Sequence, residues 1–338
     1  METRILTGTG ITVSRMCLGA MTFGGQVNEA DSIKITDYAF NNGVNFIDTA
    51  NTYNSGISEM IVGKAIKPFR EKIILATKCG YGTIVNDDYD WAKPNVSPNE
   101  QNLSRKNIIR AVDESLKRLD TDYIDIMYFH RPIYHNTIDE SLDTMYNIIR
   151  SGKVRYFGVC NHASWQICEE IWYSRTHNGF PPVVAQNLYN VITRSADGEL
   201  VPFLKEYKTG FVVFNPIAGG LLSGKHKFEN PEKDSRFDSN KYYQDRYWNK
   251  ENFEAIESLS EIASKSNMSL LELSIRWVAS QDHVDSILMG MSKLDQLKEN
   301  ISLLHKGKLE QSILDECDKV WLRLRGNHAK HNRGPRDM

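Results

Sequence analysis

Four ionisable side chains occur at or just beyond the ends of short apolar runs in the first half of the sequence. Asp48 ends the first run, Tyr53 follows it in a short polar loop, and Lys78 and His130 end the next two. A phenol is a useful proton donor when its surroundings lower its pKa from the free value of about 10. An ammonium beside the phenol favours the phenolate, so we expect Lys78 to lower the pKa of Tyr53.

The other two side chains complete this chemistry. Asp48 is expected to keep Lys78 charged and oriented, and the imidazole of His130 to hold a substrate oxygen and share proton donation. Taken singly, each residue also has an ordinary explanation as a helix cap, a solvent-exposed lysine or a loop histidine. Together they would polarise a carbonyl and protonate its oxygen, but they contain no reductant. The missing partner is a hydride donor.

The elements that position these residues are predicted from eight apolar runs, most of them separated by stretches with helical periodicity. The runs are Met16–Leu18, Asn45–Ile47, Ile73–Thr77, Tyr123–Phe129, Val154–Val159, Val183–Ala185, Phe211–Phe214 and Ser286–Met289. The pattern predicts an α/β fold, a (β/α)8 TIM barrel, in which strand C-termini share one face. A doubly wound sheet in two domains is the alternative.

One barrel domain is expected to span residues 1–338, with an N-terminal β-hairpin in 1–15. Helix starts are predicted at Ser104 and, as capping boxes, at Thr137 with Glu140 and at Ser269 with Glu272. Two long segments, 79–104 and 216–249, are rich in aromatic residues and are expected to cover the site. The basic tail 326–338 contains His328 and His331, which are a weak metal signal, and it is better explained as a solvated tail.

The composition narrows the function classes. A net charge of −2 argues against a nucleic-acid partner, and no apolar run has membrane-spanning length. Five cysteines without a CxxC pair, and an N-terminus without an apolar leader, predict a cytoplasmic protein. A homo-oligomer is possible.

Longer motifs carry a family resemblance. The run Phe46 to Tyr53, with Ala76-Thr77-Lys78 and Tyr128-Phe129-His130, resembles the aldo-keto reductase superfamily, and the likeness extends from about residue 4 to about residue 325. It implies that Asp48, Tyr53, Lys78 and His130 form a catalytic tetrad. The segments Tyr189–Arg194, Phe214–Lys225 and Leu288–Asn300 look most like the aflatoxin-aldehyde and succinic-semialdehyde reductase branch.

The resemblance also implies a cofactor site. Phe214 would stack on the nicotinamide, Cys160, Asn161 and Gln186 would bind near its amide, and 215–225 with Arg236 would wrap the pyrophosphate. Cys160 stands where the family usually has serine, and a thiol is a weaker donor. The implied cofactor-binding set is Met21, Asp48, Cys160, Asn161, Gln186, Phe214, Asn215, Pro216, Ile217, Ala218, Gly219, Gly220, Leu221, Ser223, Gly224, Lys225, Arg236, Gly290, Ser292, Lys293, Gln296, Glu299 and Asn300.

Residue chemistry supports two parts of this set independently. Backbone N–H groups of a Gly-rich loop with a lysine suit a diphosphate. Gly290 followed by Ser-Lys at a helix start suits a monophosphate. Lys293 would compensate a 2′-phosphate, which favours NADPH over NADH.

The substrate is predicted less sharply. In the same branch the covering loop contacts substrate, which implies substrate-binding roles for Tyr243 and Arg246 beside Tyr53 and His130; an arginine there suits a carboxylate. Arg246 could instead pack on Tyr247 or Trp248 at the surface. The 79–104 loop, with Tyr81, Tyr89 and Trp91, resembles bacterial reductases and the potassium-channel β-subunit branch.

We therefore expect an NADPH-dependent reductase of an aldehyde or ketone, with Tyr53 as the proton donor, no metal and no covalent intermediate. One rival is an NADP(H)-binding regulatory or redox-sensing subunit like the channel β-subunit branch, although that branch resembles this chain except for Asn at the place of His130. The other rival is a metal-dependent barrel hydrolase, which typically needs an early His-x-His that strand 1 lacks.

Overall fold

Eight parallel strands close into a barrel. The structure is a computed structural model that describes residues 1–80, 102–132, 137–233 and 235–326. The barrel strands are β3 (Met16–Gly19), β4 (Phe46–Asp48), β5 (Ile74–Cys79), β6 (Ile124–Phe129), β7 (Val154–Cys160), β8 (Val184–Leu188), β9 (Gly210–Phe214) and β10 (Ser286–Gly290). They close in the order β10-β3-β4-β5-β6-β7-β8-β9, so the predicted TIM-barrel class is confirmed.

The two-residue period of a strand explains why distant residues share one rim. Alternate side chains point into a barrel, and one buried cluster inside it contains Phe46, Ala76, Tyr128, Val184 and Val212. The residues two positions further along the chain are Asp48, Lys78, His130, Gln186 and Phe214. Each interior apolar residue thus places a polar or aromatic residue above it, at the C-terminal end of the barrel.

Amphipathic helices form the outer layer. In α3 (Arg105–Leu119), the Ser104 side chain caps the N-terminus by accepting from the N–H of Asn107, and Asp120 ends the helix in a left-handed conformation. Buried Ile108 and Val112 face the barrel. The helices are α1 (Glu29–Asn41), α2 (Ile57–Ile66), α3 (Arg105–Leu119), α4 (Ile138–Arg150), α5 (Ser164–Thr176), α6 (Leu200–Tyr207), α7 (Arg236–Ser239), α8 (Lys241–Tyr247), α9 (Lys250–Lys265), α10 (Leu270–Ala279), α11 (Leu294–His305) and α12 (Gln311–Arg325).

The N-terminal hairpin is confirmed as an antiparallel pair, β1 (Thr3–Ile5) with β2 (Thr12–Ser14). Leu6 and Val13 are fully buried and join the interior cluster. Because β3 begins directly after the hairpin, these side chains enter the barrel from the end opposite the polar rim.

Two local expectations change. Thr137 precedes α4 without a side-chain cap, and the Glu140 carboxylate instead accepts from the N–H of Arg105 at 3.0 Å. The cap at Ser269 is confirmed, since its hydroxyl accepts from the N–H of Glu272 at 3.1 Å. The Glu272 carboxylate contacts Arg276 and Lys306, so the reciprocal half of that predicted box is replaced by ion pairs.

The predicted covering segment 216–249 is more regular than expected. It contains a 3-10 turn at Ala218–Ser223 followed by α7 and α8. Most of the predicted 79–104 loop, including Tyr81, Tyr89 and Trp91, lies outside the described residues, as do residues 327–338 of the tail. None of the helices in the described part of the chain has both the length and the apolar character needed to span a bilayer.

Candidate active site

A buried ion pair lies at the centre of the rim. Lys78 and Asp48 are 1 % and 0 % exposed, and the Lys78 ammonium donates to Asp48 Oδ1. It also donates to the Thr49 carbonyl at 2.8 Å and lies 3.2 Å from the Tyr53 hydroxyl. The structure therefore brings three of the four predicted side chains into direct contact, with the ammonium between the acid and the phenol.

The charge balance at this point differs in one respect from the sequence prediction. Burial raises the pKa of Tyr53 to about 12, although the Lys78 ammonium opposes this effect. Burial disfavours the charge on Lys78 as well, but Asp48, Tyr53 and Cys160 together outweigh it and the pKa of Lys78 is raised. The predicted net acidification of Tyr53 is thus wrong, because desolvation exceeds the attraction of the ammonium; Tyr53 keeps its proton at neutral pH.

His130 is the fourth member of the rim. Its ring meets the ring of Tyr53 edge-on, with centroids 6.0 Å apart. Burial, together with the positive charges of Lys78 and Arg131, holds the pKa of His130 well below its usual value. A neutral imidazole can donate from one ring nitrogen and accept at the other, so it can hold a carbonyl oxygen without adding charge.

A chain of hydrogen bonds extends this cluster across the barrel. Gln186 donates to Asp48 Oδ2 at 2.9 Å, and the Cys160 thiol donates to Gln186 Oε1 at 3.5 Å. The Asn161 amide lies 3.2 Å from both Cys160 Sγ and the His130 carbonyl. The residues predicted to lie near a nicotinamide amide are therefore joined to the Asp48–Lys78 pair.

The Gly-rich loop after β9 turns sharply several times. Asn215, Ala218, Gly219, Gly220 and Gly224 all have positive φ angles, and the N–H groups of Ala218 and Gly220 donate to the carbonyls of Asn215 and Ile217 within the loop. A Cβ at Gly220 would meet no atom within 4 Å, so a ligand can approach the backbone there. Pro216, Ala218 and Leu221 are buried and anchor the loop, Ile217 and Ser223 are partly buried, and Lys225 is exposed.

The rim beyond β10 places a basic residue at a helix start. Lys293 is exposed and immediately precedes α11. The Ser292 N–H donates to Gln296 Oε1 at 2.9 Å. Gln296 and Glu299 are exposed, and Asn300 is buried. At Gly290 an added Cβ would approach only the Gly19 carbonyl, at 3.9 Å, so this edge is open to a ligand.

The covering segment brings two of its predicted residues to the Gly-rich loop. A Cβ at Gly219 would come within 2.7 Å of the Tyr243 ring, and the Arg236 guanidinium donates to the Tyr243 hydroxyl at 3.2 Å. Arg246 instead stacks on Tyr242, 4.4 Å from the ring centroid, and donates to its hydroxyl. The surface partner considered for Arg246 is therefore Tyr242 and not Tyr247 or Trp248. Met21 lies on the same rim after β3 and is 43 % exposed.

Sequence reasoning missed several residues that support the site. The Thr49 contact is made by a backbone carbonyl, which no sequence pattern reports. Asn190 donates to the Asn215 carbonyl at 3.0 Å and fixes the start of the Gly-rich loop. His162 contacts the Cys160 carbonyl through Nδ1 at 2.9 Å. The one available signal was composition, since polar side chains directly after a strand often face a site.

Within residues 1–80, 102–132, 137–233 and 235–326, no group of three or more His, Cys, Asp or Glu side chains is arranged to hold a metal ion.

Comparisons with known proteins agree with this geometry. The family model described as Aldo/keto reductase family matches residues 15–322. A probable voltage-gated potassium channel subunit beta of Oryza sativa subsp. japonica is 32% identical over 95% of this chain and 96% of its own length. Aldo-keto reductase family 7 member A3 of Homo sapiens is 30% identical over 90% and 92%, and aflatoxin B1 aldehyde reductase member 2 of Homo sapiens is 28% identical over 90% and 85%. The chain therefore belongs to the aldo/keto reductase family and is an oxidoreductase that acts on carbonyl groups.

Proposed function

We propose that the protein reduces an aldehyde or ketone to the alcohol with NADPH, and that Tyr53 protonates the carbonyl oxygen. The observation that carries this proposal is the position of the Lys78 ammonium between Asp48 and the Tyr53 hydroxyl. A protonated phenol beside a fixed, buried positive charge suits a reaction in which an oxyanion develops and must be neutralised.

Each member of the rim has a distinct task. Tyr53 holds the proton that is to be donated, and burial raises the pKa of its phenol to about 12. As the proton leaves, Lys78 stabilises the phenolate at 3.2 Å. Asp48 orients Lys78, and neutral His130 directs the carbonyl oxygen towards the phenol by a hydrogen bond. Proton transfer therefore needs no reorganisation of charged side chains.

The chain offers a matching set of groups for the dinucleotide. When bound, NADPH supplies the hydride that the side chains cannot. Phe214 would pack on its nicotinamide ring, and Cys160, Asn161 and Gln186 would bind the ring's amide. The left-handed backbone at Gly219 and Gly220 would bind the pyrophosphate, which fits the open space beside Gly220. Ser292 and Lys293 would hold the 2′-phosphate at the start of α11, Gln296 would assist, and Glu299 and Asn300 would contact the adenine.

The substrate is assigned to the space next to Tyr53 and His130, with Tyr243 and Arg246 on the covering segment. Arg246 would leave Tyr242 to bind a carboxylated substrate, since a guanidinium forms a stronger pair with a carboxylate than with a phenol. An Arg246→Ala variant is expected to raise KM for semialdehyde acids and to leave KM for neutral aldehydes unchanged. Equal effects on both substrate types would remove the case for an anionic substrate.

A second candidate is a nucleotide-binding regulatory subunit, since a probable channel subunit beta is among the similar proteins, although that likeness does not favour it over the reductase. Such a protein would bind NADPH and turn over slowly. Neutral His130 beside Tyr53 supports the reductase, because a sensor has no use for a group that directs a carbonyl oxygen.

The experiment is NADPH consumption measured against a panel of semialdehydes, sugar aldehydes and aryl ketones. If the protein is a reductase, at least one class of carbonyl compound supports multiple turnovers. A Tyr38→Phe control, whose substituted ring lies on α1, is expected to lose no turnover. If bound NADPH is oxidised no faster with any carbonyl than without one, the regulatory function replaces the reductase.

A further inference from the structure

The turn that begins at Tyr53 has an unusual backbone. Asn54, Ser55 and Gly56 follow it with φ angles of 48°, 56° and 88°. A left-handed conformation is unfavourable for an L-residue other than glycine, and two of these three residues are not glycine. Such a turn persists only when its surroundings hold it.

The Asn54 side chain supplies one such restraint. Its amide nitrogen donates to the Met21 carbonyl at 3.0 Å and to the Phe23 carbonyl at 2.7 Å. The contact is close, since a Cβ at Gly25 would lie 2.7 Å from the Asn54 amide oxygen. One side chain therefore joins the residue after Tyr53 to two points of the loop that follows β3.

A second restraint links the same two segments. Ser58 donates to the Ala20 carbonyl at 2.7 Å and lies 2.8 Å from the Thr49 hydroxyl. The Thr49 carbonyl in turn accepts a hydrogen bond from the Lys78 ammonium. The phenol end of Tyr53 is held by Lys78, and its backbone end is held against the β3 loop, whose Met21 is 43 % exposed on the predicted cofactor side.

We infer that Asn54 is a positioning residue for Tyr53: its amide fixes the left-handed turn against residues 21 and 23 and so holds the phenol in line with Lys78. The inference rests on the proposed function. Asparagine suits this place for two reasons, because it tolerates the left-handed region and because its amide donates two hydrogen bonds. No other side-chain chemistry of this size combines the two.

The test uses two substitutions with opposite side effects. Asn54→Gly relieves the backbone strain, Asn54→Asp keeps the side-chain shape but adds a charge, and both remove the N–H donors. Each is expected to lower kcat by about 10- to 100-fold, since a displacement near 1 Å costs rate on this scale. The Kd for NADPH, measured by fluorescence, is expected to change less than threefold. The controls are Asn178→Gly and Asn178→Asp, because Asn178 also has a left-handed φ of 49° but lies beyond α5.

A double-mutant cycle separates positioning from general structural damage. If Asn54 acts through Tyr53, then adding Asn54→Gly to Tyr53→Phe lowers kcat no further. A full additional loss in the double variant, or kcat within twofold of wild type in both single variants, would overturn the inference. Failure of the proposed function shows differently, because then wild type itself would reduce no carbonyl with NADPH.

Discussion

The barrel buries a cation at each end, and the two are held in opposite ways. Lys78 at the C-terminal rim is bound by a carboxylate, a carbonyl and a phenol. Arg15 at the other end is 2 % exposed and donates to the carbonyls of Ala279, Val284 and Asp285.

The pKa values of the two cations move in opposite directions. Burial and the neighbouring charge of Arg4 lower the pKa of Arg15 to about 10. At Lys78 burial also acts to lower the pKa, but Asp48, Tyr53 and Cys160 together outweigh it and the pKa rises. Arg15 is hydrogen-bonded by backbone carbonyls and has a structural role at the barrel end. Lys78 contacts a carboxylate and a titratable phenol, so it can stabilise a change of charge on the phenol.

The largest expected effect concerns the Lys78–Asp48 pair. Lys78→Met and Asp48→Asn each leave one buried charge without its partner and are expected to cost about 3–5 kcal/mol of stability. Both are also expected to lower kcat by roughly 10²- to 10⁴-fold. Chemical denaturation and NADPH-dependent turnover measure the two quantities.

The double variant Asp48→Asn with Lys78→Met sharpens this prediction. It removes both charges, so much of the stability returns while activity stays lost. Recovery of activity together with stability would show that the pair is only structural.

Arg15→Met tests the opposite end. Three backbone carbonyls lose their donor, and an unsatisfied buried carbonyl costs about 1–3 kcal/mol, so we expect a loss of about 3 kcal/mol in the free energy of unfolding. The kcat of the remaining folded protein is expected to stay within about twofold of wild type. A specific loss of kcat as large as that of Lys78→Met would erase the distinction between the two ends.

The strand pattern and the positions of the rim residues could be predicted from the sequence, whereas the balance of burial and charge in the site could not. The barrel and its rim followed from eight apolar runs, because Asp48, Lys78 and His130 stand directly after three of them. The net pKa of Tyr53 did not follow, because it depends on how far burial outweighs a charge at 3.2 Å.

The contacts of Asn54 and the partner of Arg246 were equally hidden. The first depends on backbone carbonyls of a loop more than thirty residues away, and the second on which of several nearby aromatic rings a guanidinium meets. Neither contact corresponds to a pattern that can be recognised in the sequence.

The pH dependence of stability is expected to come in part from the end that holds Arg15. His283 lies beside the rings of Tyr189 and Phe211, and burial lowers its pKa to about 4. Since the unfolded value is about 6.5, the unfolded chain binds more protons between these two values, and stability falls as the pH drops from 6.5 to 4. After allowance for partial exposure, the loss from His283 is about 2 kcal/mol.

His283→Phe removes this titration while keeping an aromatic ring. Its loss of unfolding free energy between pH 7 and pH 4, from urea denaturation, is expected to be smaller than that of wild type by about 2 kcal/mol. Parallel pH profiles for the two proteins would place the acid sensitivity elsewhere.

The smallest effect is expected at an exposed cation. Lys293 stands at the start of α11 without burial, so Lys293→Ala should leave the thermal stability of the nucleotide-free protein unchanged. The variant is expected to bind NADPH about tenfold more weakly because a charge-assisted contact is lost, with little change in the affinity for NADH. Equal weakening of both nucleotides would contradict the 2′-phosphate site.

We propose that Tyr53, held beside the charged ammonium of Lys78, delivers the proton to the carbonyl oxygen. The most direct measurement is single-turnover oxidation of bound NADPH by an aldehyde in wild type and Tyr53→Phe. The rate in the variant is expected to fall about 10²- to 10⁴-fold with unchanged NADPH affinity. A rate within tenfold of wild type, with the nucleotide still bound, would contradict it.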